Sequence, residues 1–86
     1  MQIGVYSLEK VLFRGEAREV NCRTESGEIT ILDRHEPLIS LLATGVMKVI
    51  DGAGAEHYFP VASGFLEVRP GNRARFLIEE GQDQNG

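Results

Sequence analysis

The sequence predicts an all-β protein, a two-layer antiparallel β-sandwich of roughly eight to ten short strands. Apolar and polar residues alternate with a period of two over most of the chain. Successive side chains of a strand point to opposite faces, so this period is typical of strands that are buried on one side. Clusters of glycine, proline, asparagine and serine separate the alternating segments, at the spacing of turns between short strands.

The alternating segments follow one another from the start of the chain to residue 78. Their apolar members include Ile3 with Val5, Val20 with Cys22, Ile29 with Ile31, Leu66 with Val68, and Ala74 with Phe76 and Ile78. The segment Ser7–Gly15 does not fit this pattern as well. Ser7 is a possible helix cap, but no Glu or Gln stands three residues later to complete a capping box. We interpret this segment as an irregular link that contains a short strand at Val11–Phe13.

Four clusters of turn-forming residues divide the predicted strands. They are Glu25–Gly27, Asp51–Gly54, Ser63-Gly64 and Pro70–Asn72, of which Asp51–Gly54 and Pro70–Asn72 predict hairpin connections. The composition changes only after Ile78, where EEGQDQNG offers no apolar side chain for burial. We therefore predict a single β-sandwich domain at residues 1–78 and a disordered polar tail at residues 79–86.

Composition and charge disfavour two classes of partner, nucleic acid and anionic lipid. The chain has 86 residues, enough for one domain with a thin core, and a formal net charge of −4. Its arginines are scattered along the sequence, with acidic residues between several of them, so no basic cluster is evident. Binding to nucleic acid and lasting attachment to anionic lipid both depend on positive charge. Both are disfavoured here.

The sequence shows neither the pattern of a signal peptide nor that of a membrane-spanning helix. The opening MQIGVYSLEK has neither the basic start nor the apolar core of a signal peptide. No apolar run approaches the ~20 residues of a spanning helix, so at a membrane another protein would have to hold this one. Cys22 is the single cysteine, which excludes an internal disulfide and fits a reducing compartment.

No residue pattern indicates catalysis, a metal site or a cofactor. His35-Glu36 begins like a zinc-protease motif, but position 39 is Ile and Pro37 prevents the helix that the motif needs. Gly52-Ala53-Gly54 lacks the third glycine of a dinucleotide loop, and no Walker lysine follows a glycine. Cys22 alternates with polar neighbours and is best interpreted as a small buried apolar residue.

The apolar run Leu38–Leu42 stands apart from the alternating segments. It follows Pro37 and shows no clear alternation, so it is either buried on both sides or forms a surface that binds a partner. Neighbouring polar residues leave similar alternatives open. His35 could be a pH-sensitive group or a loop residue bonded to nearby backbone, and Glu28 a partner contact or a solvated charge. Ser7 could simply end the first strand.

The order of motifs from Gln2 to Ile78 resembles the N-terminal β-sandwich domain of the epsilon subunit of F-type ATP synthases. The resemblance rests on segments in the family's order: Ser7–Glu16 (SLEKVLFRGE), Ser26-Gly27-Glu28, Ile31-Leu32, His35, Pro37-Leu38, Thr44-Gly45-Val46, Tyr58-Phe59, Val61, Gly64–Val68 and Pro70–Asn72. The chain departs from the family at Thr30, Asp33-Arg34, Thr44 and Ser63, where glycine or proline is usual.

This resemblance implies a non-catalytic subunit of the rotor, or central stalk, which couples ion translocation to ATP synthesis or hydrolysis. Its partners would be the gamma subunit and the loops of the c-ring, at the cytoplasmic face of the bacterial cell membrane, where it would be peripheral. Ser7, His35 and Ser40 lie at positions where the family contacts gamma. We expect the apolar run to belong to the same gamma-facing patch, which adds Leu38, Ile39 and Leu42. Glu28 corresponds to the segment that faces the c-ring.

The resemblance stops at Ile78. Family members commonly continue into a C-terminal helical hairpin, which residues 79–86 do not match, so we expect that hairpin to be absent. Because inhibition and ATP binding in bacterial relatives involve the hairpin, neither is expected here, nor is tight nucleotide binding. The alternative is a stand-alone small β-sandwich module that binds another protein or a ligand.

Overall fold

The computed structural model describes residues 1–81, and all of its regular elements are strands. The seven strands are β1 (Gln2–Tyr6), β2 (Val11–Thr24), β3 (Gly27–Leu32), β4 (Leu38–Leu42), β5 (Gly45–Asp51), β6 (Glu56–Arg69) and β7 (Arg73–Glu80). The predicted all-β fold is confirmed. The strand number falls slightly below the predicted range because β2 and β6 each run for 14 residues.

The two long strands each contribute to both layers. The first part of β2 pairs with β1, and its later part pairs with β5 and β3. β6 pairs first with β5 and then with β7 and β4. The first sheet therefore contains β1, β7, β4 and one half of each long strand, and the second sheet contains β3, β5 and the other halves. The pairing β1–β2–β5–β6–β7 returns to β1, which closes a circuit of five strands.

All strand pairs in residues 1–81 are antiparallel except one. β1 and β7 run parallel, with Gln2 opposite Arg73 and Tyr6 opposite Leu77. The inward side chains of both sheets form one apolar core. Its largest fully buried members include Phe76 and Leu66 from the first sheet and Ile31, Met47 and Val49 from the second.

Cys22 lies in this core, as its sequence context predicted. The side chain is buried, and burial raises the pKa of its thiol to about 11. The thiolate is the reactive form of cysteine, so this group is poorly suited to act as a nucleophile near neutral pH.

Two of the predicted boundaries were wrong. Ser63-Gly64 is not a turn between strands: it lies inside β6, next to the register shift between Val61 and Ser63 where the strand bends from one sheet to the other. The strand at Val11–Phe13 exists but is only the beginning of β2. Both errors reduce the strand number, because each long strand was expected to be two shorter ones.

The end of β7 differs slightly from the predicted domain boundary. The strand continues through Glu79 and Glu80, and the Gly81 N–H donates to the Pro60 carbonyl at 2.8 Å. Residues 82–86 of the expected tail lie outside the described residues. The hairpin connections predicted at Asp51–Gly54 and Pro70–Asn72 are confirmed.

Asp51 organises the turn between β5 and β6. Its Oδ1 accepts hydrogen bonds from the N–H groups of Ala53 and Ala55, both at 2.9 Å, and its Oδ2 lies 2.8 Å from His57 Nε2. The hydrogen bond with His57, followed by the one from Ala55, holds the pKa of the Asp51 carboxyl below its ordinary value.

The charge of Asp51 should therefore stabilise the fold in a pH-dependent way. A lowered native pKa gives stability that is fully present above the unfolded-state value of ~3.9 and is lost as pH falls through the native pKa. We expect Asp51→Asn, which keeps Oδ1 as an acceptor, to lower the melting temperature at pH 7. The difference from the wild type should shrink below about pH 4. Melting curves between these conditions test this, and a difference independent of pH would contradict it.

Gly64 allows β6 and β7 to approach closely at the bend. Its φ is +153°, and a Cβ at this position would overlap the carbonyl oxygen of Leu77 and come within 2.9 Å of the Cα of Ile78. Both neighbours are backbone atoms of a paired strand, so relief would require the two strands to separate.

Gly64→Ala should therefore destabilise the domain, by about 2–4 kcal/mol. Gly15 is the matched control, since its φ of +152° is nearly identical. Within residues 1–81, apart from Gly15 and its two chain neighbours, no atom lies within 4 Å of the position that a Cβ would take. Gly15→Ala should cost only the backbone strain, about 1–2 kcal/mol. Urea denaturation of both variants measures the difference, and equal losses would mean that the close approach is unimportant.

Candidate protein-binding face

The outer face of the first sheet carries a continuous row of apolar side chains. Five residues occupy one register position across five strands: Leu41 of β4, Phe65 of β6, Leu77 of β7, Tyr6 of β1 and Val11 of β2. Each pairs with the next, and four of the five are exposed, while Tyr6 is half-buried. We call these five residues the apolar row. Leu8, in the turn that follows β1, is exposed beside one end of the row.

The apolar row offers a site for side chains of another protein. A depression of about 390 Å³ lies along it, lined by Tyr6, Phe65 and Leu77 together with Phe76 and Arg75. Isolated apolar residues are common on protein surfaces. A contiguous exposed apolar strip, which here crosses five strands, instead indicates a binding surface. Aromatic side chains such as Tyr6 and Phe65 are also enriched in protein interfaces.

The apolar run Leu38–Leu42 is the part of this face that the sequence indicated. Ile39 and Leu41 point outward, with exposed fractions of 74% and 56%. Leu38 packs against the core, and Leu42 belongs to the core with only 5% exposed. The run therefore alternates in the structure, with Ser40 on the inward side, although four of its five residues are apolar. Leu42 is corrected from a surface residue to a core residue, and Leu41 takes its place on the surface.

The side chains of Ser40, Ser7 and His35 each form hydrogen bonds with nearby backbone groups. Ser40 is half-buried and its Oγ donates to the Leu41 carbonyl oxygen at 3.2 Å. Ser7 Oγ accepts hydrogen bonds from the N–H groups of Glu9 and Lys10, each at 3.2 Å, which forms the tight turn between β1 and β2. His35 Nδ1 lies 2.8 Å from the Glu36 carbonyl oxygen and donates to it, since that oxygen can only accept.

Ser7 and His35 lie at opposite ends of the first sheet. Ser7 follows the last residue of β1, in a depression shared with Ile78 and Glu79 at the end of β7. His35 is next to Arg34, whose N–H donates at 2.7 Å to the Oδ1 of Asn72, just before β7 begins. The sequence-predicted residues therefore border the outer face at both ends and do not form one compact cluster.

Glu28 lies away from the apolar row, on the second sheet. It is exposed near the start of β3, where it pairs with Arg23 of β2. The turn between β2 and β3 adjoins the end of β4, since Thr24 pairs with both Gly27 and Leu42. Glu28 thus sits at the rim of the domain, beside but not on the apolar face.

Sequence reasoning missed most of the apolar row. Tyr6, Val11, Phe65 and Leu77 come from four separate strands, so their alignment depends on which strands pair and in what register. The available signal was local: Phe65-Leu66 are adjacent apolar residues in an alternating strand, so one of them must face outward. The same holds for Phe76-Leu77.

Residues 1–81 contain few side-chain groups suited to metal binding or catalysis. No group of three or more His, Cys, Asp or Glu residues that could hold a metal ion occurs within residues 1–81. In the same range no helix is long and apolar enough to span a membrane. Every buried side-chain nitrogen or oxygen in the described part of the chain has a hydrogen-bond partner.

Fold and surface define a small β-sandwich domain with an apolar strip across one sheet, and comparison with known proteins gives its family. Residues 1–81 match the family described as "ATP synthase, Delta/Epsilon chain, beta-sandwich domain". The chain belongs to this family.

Curated relatives carry the name ATP synthase epsilon chain. One from Bordetella petrii is 44% identical over 71 residues, which is 83% of this chain and 50% of the relative. Another, from Delftia acidovorans, is 41% identical over 70 residues, 81% of this chain and 51% of the relative. The chain therefore spans about half the length of these relatives.

Solved structures share the fold. A chain of the mitochondrial ATP synthase of Euglena gracilis aligns with 88% of this chain and 48% of its own length, at a TM-score of 0.81 and 21% identity. A chain from the central stalk and c-ring of the Tetrahymena thermophila mitochondrial enzyme aligns with 99% of this chain and 67% of its own length, at a TM-score of 0.80 and 13% identity.

The division of Leu38–Leu42 into outward and inward residues can be tested on the isolated chain. Leu41→Asp should change the free energy of unfolding by no more than about 1 kcal/mol, because the side chain is exposed. Leu42→Asp should abolish folding or cost more than about 3 kcal/mol, because it buries an unpaired carboxylate in the core. Circular dichroism melting curves distinguish the two. Similar losses in both variants would mean that Leu41 also belongs to the core.

Proposed function

We propose that this chain is a non-catalytic rotor subunit of an F-type ATP synthase that binds the gamma subunit through the outer face of its first sheet. Family membership supports the assignment to the complex, and the apolar row is the observation that supports the partner-binding role. In this proposal the subunit links gamma to the c-ring. It thereby helps to couple ion translocation to ATP synthesis or hydrolysis, which take place in other subunits.

The architecture suits such a coupling part. A subunit that transmits torque has to resist deformation, and a circuit of paired strands around a close-packed core offers few ways to bend. It also needs two separate protein-facing surfaces. The apolar row and the rim that carries Glu28 lie on different sheets, so two partners could be bound at the same time.

The proposed gamma-facing set differs from the one predicted from the sequence. It consists of Ile39 and the apolar row, bordered by His35 at one end of the sheet and by Ser7 at the other. Leu38, Ser40 and Leu42 lie on the inward side of β4, beneath this face, where they are buried or half-buried.

Glu28 is proposed to face the c-ring loops. The complex would work at the cytoplasmic face of the bacterial membrane, with this subunit peripheral to the bilayer.

The test is binding of purified gamma subunit to variants of the full chain. Leu41→Asp should weaken binding by about 2 kcal/mol or more, because it places a charge within an apolar contact. Val46→Asp is the matched control, since Val46 is 61% exposed but lies on β5 of the second sheet. Its effect on gamma binding should be small.

Glu28→Gln gives a second comparison. It should leave gamma affinity unchanged and act, if at all, on coupling to the c-ring in the reconstituted enzyme. Isothermal calorimetry measures the gamma affinities, and melting curves check that each variant is folded. If gamma binds Leu41→Asp as tightly as the wild type, the binding face lies elsewhere. If the wild type does not bind gamma, the stand-alone module becomes the better interpretation.

A further inference from the structure

Four arginines that are scattered in the sequence meet on the outer face of the first sheet. Arg14 of β2, Arg69 of β6, and Arg73 and Arg75 of β7 line one shallow depression of about 260 Å³, together with Gln2, Gly4 and Tyr6 of β1. No basic cluster was expected from the sequence, and this finding corrects that expectation. We call these four residues the arginine cluster.

The strand register explains the cluster. Arg75 pairs with Gly4, and Gly4 pairs with Arg14, so two arginines flank a glycine in one row across three strands. Arg69 pairs with Arg73 in the next row. Because Gly4 has no side chain, the Tyr6 ring lies over it, in the space that a Cβ would occupy, and Tyr6 lines the depression together with the arginines.

Positive charge in this cluster is only partly balanced within the described chain. Glu67 lies 2.9 Å from Arg75 Nε and 4.0 Å from Arg69 Nε. Arg14 and Arg73 have no carboxylate oxygen within 4.0 Å among residues 1–81. The nearby Glu16 carboxylate is engaged with Gln2 Nε2 and the amino group of Met1. A protein with a net charge of −4 thus presents a locally basic surface.

The arginine cluster adjoins the apolar row. Tyr6 and Arg75 line both the basic depression and the apolar one, and the rows are neighbours in the register, since residues two apart on a strand face the same side. One occupant that crosses the sheet would therefore touch both. Its surface should be apolar over the row and negatively charged over the cluster.

We propose that the arginine cluster binds carboxylates of an acidic segment of the gamma subunit, beside the part of that subunit that covers the apolar row. This inference rests on the proposed function and specifies the chemistry of the partner. Arginine pairs with a carboxylate through two parallel N–H···O bonds, and three or four guanidinium groups on one face suit a segment with several acidic side chains.

A protein carboxylate fits better than a phosphate ligand for two reasons. Enclosed phosphate sites draw on backbone N–H groups, but β1, which forms the floor, is hydrogen-bonded to β2 on one side and to β7 on the other. The depression is also open, and the adjoining apolar row would stay exposed if a small anion alone were bound.

The experiment measures gamma binding to the full chain at low and high ionic strength. The double variant Arg14→Gln/Arg73→Gln removes the two arginines that lack a carboxylate partner in the described chain. Its affinity for gamma should fall about fivefold at low salt, because each exposed ion pair makes only a modest contribution to binding. Wild-type affinity should fall as salt is raised to about 0.5 M, and the double variant should depend on salt much less.

Arg18→Gln/Arg23→Gln is the matched control. It makes the same change in net charge with two other exposed arginines, at positions of β2 outside the depression. Its gamma affinity and salt dependence should equal those of the wild type. Melting curves verify that both double variants are folded.

The outcomes separate this inference from the proposed function. If the wild type binds gamma and the cluster variant binds equally well at every salt concentration, the carboxylate proposal is wrong while the gamma-binding role stands. If the wild type does not bind gamma, both fail. A parallel titration with ATP and with inorganic phosphate covers the other ligand class. Tight binding that Arg14→Gln/Arg73→Gln abolishes, with gamma binding unchanged, would replace the carboxylate proposal by a phosphate site.

Discussion

The architecture depends on two strands that bend from one sheet into the other. β2 shifts register between Ala17 and Glu19, and β6 shifts between Val61 and Ser63. A β-bulge increases the local twist and bends its strand, so each shift turns the chain around the core. Because both long strands do this, five strands close into a circuit and the remaining two, β3 and β4, add to its outside. A small core is thereby enclosed almost completely by hydrogen-bonded backbone.

The sequence predicted this fold but not the continuity of its strands. Alternation identified the core members Val20, Phe76 and Ile78, and two turns were placed where they occur. Ser63-Gly64 was interpreted as a turn because glycine supports turns and bulges alike. Only the pairing of the flanking residues with the same neighbouring strand distinguishes the two, and that pairing joins segments far apart in the sequence.

The proposed binding face was harder to predict than the fold, for a related reason. Leu38–Leu42 stood out in the sequence because four of its five residues are apolar, whereas the other members of the apolar row are single residues in ordinary alternating strands. The arginine cluster is similar, since position 14 and positions 69–75 meet only through β1. What a sheet surface offers to a partner is set by rows across strands. A sequence displays residues along strands, so it reveals the inward face by periodicity and leaves the outer rows unspecified.

The parallel pairing of β1 with β7 has a consequence for synthesis of the protein. Gln2 pairs with Arg73 and Tyr6 with Leu77, so the first strand of the domain gains its second neighbour only when the last strand is present. Contacts between residues so distant in sequence slow folding, because a long loop must close before they form. On the ribosome, β1, which carries Tyr6, cannot form its second strand pairing until β7 has emerged from the exit tunnel. The outer face of the first sheet is therefore complete only after the last strand of the domain has been translated.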